Sequence, residues 1–196
     1  SKLVAVAKEH DLAYCAADVS SDADIERMYQ QLESELGSLD ILINNAGISS
    51  QGWATSDVLT RDDFQKVFDV NVFGAAMVAS HAAKIFKEKK QGVIVNIAST
   101  AALKGFARGS VYASSKFALR AITQCFQAEL RPFNVRVIGV NPSEVPTAFN
   151  QADRVEKPLE DKKLTPEEIS HAIVTAIAMD ERGFIPEFSV WATNPF

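Results

Sequence analysis

Runs of branched apolar residues alternate along this chain with longer segments whose apolar residues recur at helical spacing. This alternation constrains the fold more than any other feature, because strands separated by a helical crossover pair in parallel. Helices cover a parallel sheet on both faces, so its strands read as continuous apolar runs. Five runs qualify: Leu12–Ala17, Ile41–Asn44, Val93–Ile97, Val135–Val140 and Glu187–Ala192. They predict an α/β fold with a doubly wound parallel sheet, in one domain over residues 1–196.

The intervening segments carry their own start and stop signals. Ser21, with Asp24 three residues on, caps a helix whose apolar side is Ile25, Met28, Leu32 and Leu36, and Gly37 ends it. A second helix is expected to run unbroken from Thr60 to about Lys89, and a third from Ser110 to Leu130, stopped by Pro132. Each of these two has apolar residues on more than one stripe, including Met77, Phe86 and Phe126, which is more than one sheet can cover. Helices 60–89 and 110–130 are therefore expected to form a homodimer or homotetramer interface. A last helix opens with Thr165 as cap, Pro166 in the first turn and Glu168 closing the box. Residues 142–164 have no period and three prolines, and form the expected lid loop over substrate and cofactor.

Composition removes several classes of function. A net charge of −5 argues against a nucleic-acid partner, which needs clustered Lys and Arg. No apolar run reaches the roughly 18 residues needed to span a bilayer, and no signal peptide is present, so a cytoplasmic protein is expected. Cys15 and Cys125 sit among apolar neighbours and are expected to be buried reduced thiols. His10, His81 and His171 are dispersed, so no metal site is expected. The partner that remains is a small molecule.

Tyr112 and Lys116 open the third helix, and Ser99 closes the strand before it. Residues four apart share a helix face, so the ammonium lies near the phenol. A free tyrosine has a pKa near 10, and a neighbouring cation is expected to pull it down. Such a phenol can give a proton to a carbonyl or take one from an alcohol, while Ser99 donates a second hydrogen bond to the same oxygen. Taken alone, a Tyr-x-x-x-Lys pair is weak, since an exposed tyrosine beside a solvated lysine has the same spacing.

The wider pattern is more specific. Asn44-Asn45-Ala46-Gly47 after a strand, Asn71-Val72-Phe73-Gly74 in the long helix, and Asn96-Ile97-Ala98-Ser99 at a strand end, in this order, resemble the short-chain dehydrogenase/reductase family. The likeness extends to bacterial 3-oxoacyl carrier-protein reductases and related ketoreductases. It implies a Rossmann-type sheet and hydride transfer between a nicotinamide cofactor, NADP preferred over NAD, and a ketone or 3-oxoacyl group and its secondary alcohol. It further implies a tetrad in which Asn71 holds a relay water, Ser99 orients the carbonyl, Tyr112 is the acid–base, and Lys116 binds the cofactor ribose. Cofactor contacts implied in the same way are Asp18 and Val19 at the adenine, Asn45, Ala46 and Gly47 at the turn, and Pro142, Val145 and Thr147 at the nicotinamide. Ser143 stands where the family has glycine, which puts the local backbone angle at issue.

The front of the chain departs from the family. It opens without Met at Ser1-Lys2-Leu3, inside a helical pattern, and is expected to be a piece of a longer protein that lacks the first two strands and the Gly-rich turn. The run Leu12–Ala17 should then either stand detached across an empty slot, the favoured outcome, or pair directly with Ile41–Asn44. Direct pairing would favour the alternative reading, a cofactor-free scaffold or interaction protein without turnover.

Overall fold

Along the two central strands the side chains alternate between two apolar clusters, and this alternation builds the sheet. The computed structural model describes residues 2–50, 53–150, 155, 158 and 160–194. Four strands, β1 (Ile41–Asn44), β2 (Gly92–Ile97), β3 (Val135–Pro142) and β4 (Glu187–Val190), lie in the order β1-β2-β3-β4. All three pairings are parallel, with Ile43 opposite Val95, Val95 opposite Ile138, and Val140 opposite Phe188. Ile94, Val135 and Val137 pack with Ile25, Val78 and Phe86 on one face. Val93, Val95, Ile138 and Val140 pack with Ile169 and Ile173 on the other. Both faces are therefore covered, as the unbroken apolar runs required.

The helices follow their caps. α1 spans Lys2–Glu9, and α2 (Asp22–Leu36) begins where Ser21 Oγ accepts from the Asp24 amide and ends at Gly37 with φ +72°. α5 spans Ser110–Leu130, and α6 (Pro166–Ile177) has the complete Thr165/Glu168 capping box. The expected 60–89 helix does not run evenly. α3 (Arg61–Phe68) widens into a π-helical turn over Asp69–Gly74 before continuing as α4 (Ala75–Lys89). Gly74 shows why the geometry is specialised there. A Cβ on it would lie 2.5 Å from the Val19 carbonyl oxygen, so the Asp18-Val19 segment rests directly on the helix backbone.

Three expectations fail. Leu12–Ala17 forms no strand, and β1 pairs only with β2, so there is no ladder between residues 12–17 and 41–44. A strand exists only through its neighbour. Here the Tyr14 and Ala16 carbonyls instead accept from Gln31 and Arg27 of α2, at 3.2 and 2.7 Å. The detached front is thus the outcome found, and Ile41 and Ile43 remain 42% and 48% exposed along the open side of β1. Cys125 is exposed on α5, and Cys15 is half-buried beside Arg27 of α2, so neither is the buried thiol expected. Phe86 is fully buried under the sheet and Phe126 packs partly against the same cluster, so neither makes an outer apolar face. Of the expected lid loop, residues 151–154, 156–157 and 159 lie outside the described residues, as does Ser1.

Candidate active site

The carboxyl ends of all four strands open into one cleft of about 1360 Å³. This is where open α/β sheets place ligands, because the loops that leave the strands diverge there. β1 contributes Asn45, Ala46 and Gly47; β2 contributes Ser99; β3 contributes Pro142, Val145 and Thr147; and the first turns of α5 contribute Tyr112 and Lys116. The structure thus brings together nine of the residues singled out from sequence. Asn71, Asp18 and Val19 do not line this cleft.

Ser99 stands beside Tyr112, and its Oγ accepts from the Ala101 amide at 3.1 Å, which fixes its rotamer. Burial pushes the Tyr112 phenol above its ordinary value, and the adjacent Ser99 hydroxyl opposes that rise. The expected lowering by Lys116 is not what the ligand-free chain displays. The Lys116 ammonium lies 5.8 Å from the Tyr112 ring centroid and donates to the Ile97 carbonyl at 3.0 Å. Desolvation pushes Lys116 down to about 8. Burial penalises charge on both groups, and among the described residues no carboxylate is paired with the ammonium.

Asn71 is fully buried in the π turn. Its Oδ1 accepts from the Ile48 amide at 2.8 Å, while its Nδ2 donates to the Ile48 carbonyl at 2.9 Å and to Ser115 Oγ at 3.1 Å. The side chain therefore uses both its N–H donors and one lone pair of Oδ1 to hold the segment after Gly47 to α5, and a second lone pair of Oδ1 remains. Gly47 in turn needs its missing Cβ, which would lie 3.3 Å from Asn71 Oδ1 and 3.5 Å from Lys116 Nζ. Helices with π turns concentrate at functional sites, and this one aims an amide at the loop that lines the cleft.

Deeper support comes from residues to which sequence reasoning gave no role. Asn44 Nδ2 donates to Asn96 Oδ1 at 3.0 Å and to the Ala75 carbonyl at 2.9 Å, and Asn96 Nδ2 donates to Thr123 Oγ1 at 2.9 Å. This buried chain ties the ends of β1 and β2 to α4 and α5. Ser115 was legible only as a polar residue on the face of Tyr112, three positions on. Ser143 has no positive φ, so the glycine of the family pattern is not needed here, and its amide donates to the Val190 carbonyl at 2.9 Å. Asp18 Oδ1 accepts from the Ser20 amide and hydroxyl at 2.9 and 2.7 Å, which holds its carboxyl below the ordinary value and makes it a turn residue in this state.

A parallel α/β sheet with serine, tyrosine and lysine meeting at its carboxyl end defines an enzyme of the dehydrogenase and reductase class. The profile of the short chain dehydrogenase family matches residues 1–158, and the chain belongs to that family. Among relatives, it is 30% identical to (+)-borneol dehydrogenase 2 of Salvia officinalis, covering 95% of this chain and 72% of that one. It is 36% identical to short chain aldehyde dehydrogenase 1 of Euphorbia lathyris, over 76% of this chain and only 53% of the relative. Among solved structures, the closed form of serine dehydrogenase complexed with NADP+ superposes with a TM-score of 0.87 at 27% identity, covering 96% of this chain and 80% of that one. Among the described residues no helix is long and apolar enough to cross a membrane, and no cluster of metal-ligating side chains occurs.

Proposed function

We propose that this protein is an NAD(P)-dependent oxidoreductase that interconverts a ketone, 3-oxoacyl groups included, and a secondary alcohol in the cytoplasm. The observation that carries the reading is that Ser99, Tyr112 and Lys116 line one cleft at the carboxyl ends of the strands. A carbonyl oxygen placed between the two hydroxyls accepts a hydrogen bond from each, and Tyr112 passes its proton to that oxygen as negative charge develops. The raised proton affinity of Tyr112 keeps it protonated and ready in the reducing direction. Asn71 acts as a positioning residue, and the remaining lone pair of its Oδ1 is the acceptor for a relay water.

The residues present fit a nicotinamide cofactor. Gly47 leaves a surface that a Cβ would fill, and the buried ammonium of Lys116, whose partner among the described residues is the Ile97 carbonyl, suits ribose hydroxyls. Asn45, Ala46, Gly47, Tyr112 and Lys116 would hold one side and Pro142, Val145 and Thr147 the other, with Asp18 and Val19 at the adenine end. The cofactor supplies the hydride when bound. NADP is the preferred form, in keeping with the NADP+ in the serine dehydrogenase structure. The scaffold alternative loses its support because residues 12–17 make no ladder with β1.

Assembly through the long helices is part of the same reading. Phe73, Met77 and Phe117 are 52%, 43% and 42% exposed, so these replace Phe86 and Phe126 as the apolar outer surface. Light scattering should give a dimer or tetramer, and a monomer would remove this element of the proposal.

The test of the activity is oxidation of NADPH or NADH, followed by absorbance, in the presence of ketones. Ketone-dependent loss of reduced cofactor that vanishes in Tyr112→Phe is expected. A protein that binds neither cofactor would overturn the reading.

A further inference from the structure

Above Tyr112 the cleft is walled by aromatic rings. Trp53 meets Tyr112 edge-on with centroids 6.0 Å apart, Phe106 tilts against Trp53 at 5.6 Å, and Phe149 meets Tyr112 from another side at 6.0 Å. Trp53 is held there at a φ of +45°, a conformation uncommon for a bulky side chain. The clasp that holds it is Arg108, itself at φ +66°, whose Nε donates to the Trp53 carbonyl at 2.5 Å. Phe106 lies over Gly109, where a Cβ would meet its ring at 2.5 Å. Left-handed backbone at Trp53 and Arg108 and the glycine under Phe106 accompany this placement, and neither ring belongs to the buried core clusters.

The outer mouth is apolar as well. Trp191, Val174 and Phe106 line it while remaining 62%, 63% and 48% exposed. Among the described residues, Lys104, Lys116 and Glu144 are the charged groups of the cleft. Glu144 is engaged by Lys163 at 2.6 Å and Lys116 by the Ile97 carbonyl, which leaves Lys104 at the rim. A carboxylate or a phosphate-bearing acyl carrier would bring charge into walls whose described residues include no arginine and offer Lys104 alone at the rim. An uncharged ring would bury its faces against Trp53 and Phe106 and lose little internal freedom on binding.

We propose that Trp53 and Phe106 determine specificity for an uncharged apolar cyclic or aryl ketone and its secondary alcohol. This rests on the proposed oxidoreductase reading and narrows its substrate. In the reducing direction the carbonyl carbon gains a C–H bond from the hydride of the reduced nicotinamide, the oxygen gains the Tyr112 proton, and the cofactor leaves oxidised.

Steady-state kinetics and saturation-transfer NMR of the purified protein, with 2-tetralone, acetoacetyl-CoA and serine as probes, test this. Expected are a kcat/KM for 2-tetralone at least about tenfold above either charged probe, and a KM raised about tenfold in Trp53→Ala and in Phe106→Ala with cofactor Kd unchanged. Preference for acetoacetyl-CoA or serine would overturn the inference and leave the oxidoreductase reading standing. So would an unchanged 2-tetralone KM in both variants. Binding of 2-tetralone that both variants weaken, without turnover in the wild type, would instead uphold the aromatic site and overturn the oxidoreductase reading.

Discussion

Asn71 and Ser115 join two helices through one hydrogen bond of 3.1 Å, and both ends of that bond reach toward the chemistry. Asn71 grips the Ile48 backbone beyond the Gly47 turn, and Ser115 Oγ donates to the Tyr112 carbonyl at 2.7 Å. The pair fixes the distance between the cofactor-side loop and the helix that carries the tyrosine.

Truncating Asn71 to alanine would leave the half-buried Ile48 amide and carbonyl without their side-chain partner. At about 1–3 kcal/mol for each polar group left without a partner, Asn71→Ala should lose on the order of 3 kcal/mol of stability. Ser115→Ala removes one acceptor and should lose about 1 kcal/mol. Urea unfolding of the two variants checks this, and equal small losses would show that the Ile48 bonds contribute little.

Tyr112→Phe removes the proposed proton donor and keeps the ring that contacts Trp53 and Phe149. Turnover should fall about 10²–10⁴-fold, the ordinary scale of acid–base catalysis, with the fold intact by circular dichroism. Undiminished turnover in the phenylalanine variant would exclude Tyr112 as the acid.

Lys116 gives stability a signed dependence on pH. Its folded value is depressed from 10.5 to about 8, so between these values the unfolded chain holds a proton that the folded chain has released. Stability from this group therefore rises as pH climbs from about 8 to 10.5, and the burial penalty is fully present below 8. At roughly 1.4 kcal/mol per pH unit the effect is on the order of 3 kcal/mol. Lys116→Met should stabilise the ligand-free protein at pH 7 by somewhat less than this, since the bond to Ile97 is lost too. Melting temperatures of both proteins across this range would refute the account if the two curves ran parallel.

Gly74→Ala would force a methyl group to within 2.5 Å of the Val19 carbonyl oxygen, which is backbone and cannot swing aside. A loss of about 1–3 kcal/mol is expected, with faster amide exchange at Ser20 and Ser21 as the Asp18-Val19 segment lifts. Wild-type stability and exchange in this variant would mean that the segment does not rest on the helix in solution.

The sequence by itself determined whatever depends on local spacing. Continuous apolar runs specified a parallel sheet covered on both faces; Ser21, Thr60 and Thr165 marked helix starts through side-chain caps; and Tyr112, Lys116 and Ser99 were legible because helix periodicity and a strand end place them together. Tertiary structure decided what depends on a neighbour. Leu12–Ala17 has strand-like composition and no strand, because a ladder needs a partner that composition does not encode. The sign of the Tyr112 shift followed burial and not its spacing to Lys116, since desolvation is a property of the packed cleft. The π turn at Asn71 and the aromatic wall of Trp53, Phe106 and Phe149 likewise arise from contacts between residues far apart in the chain, whose energies exist only once the elements are packed.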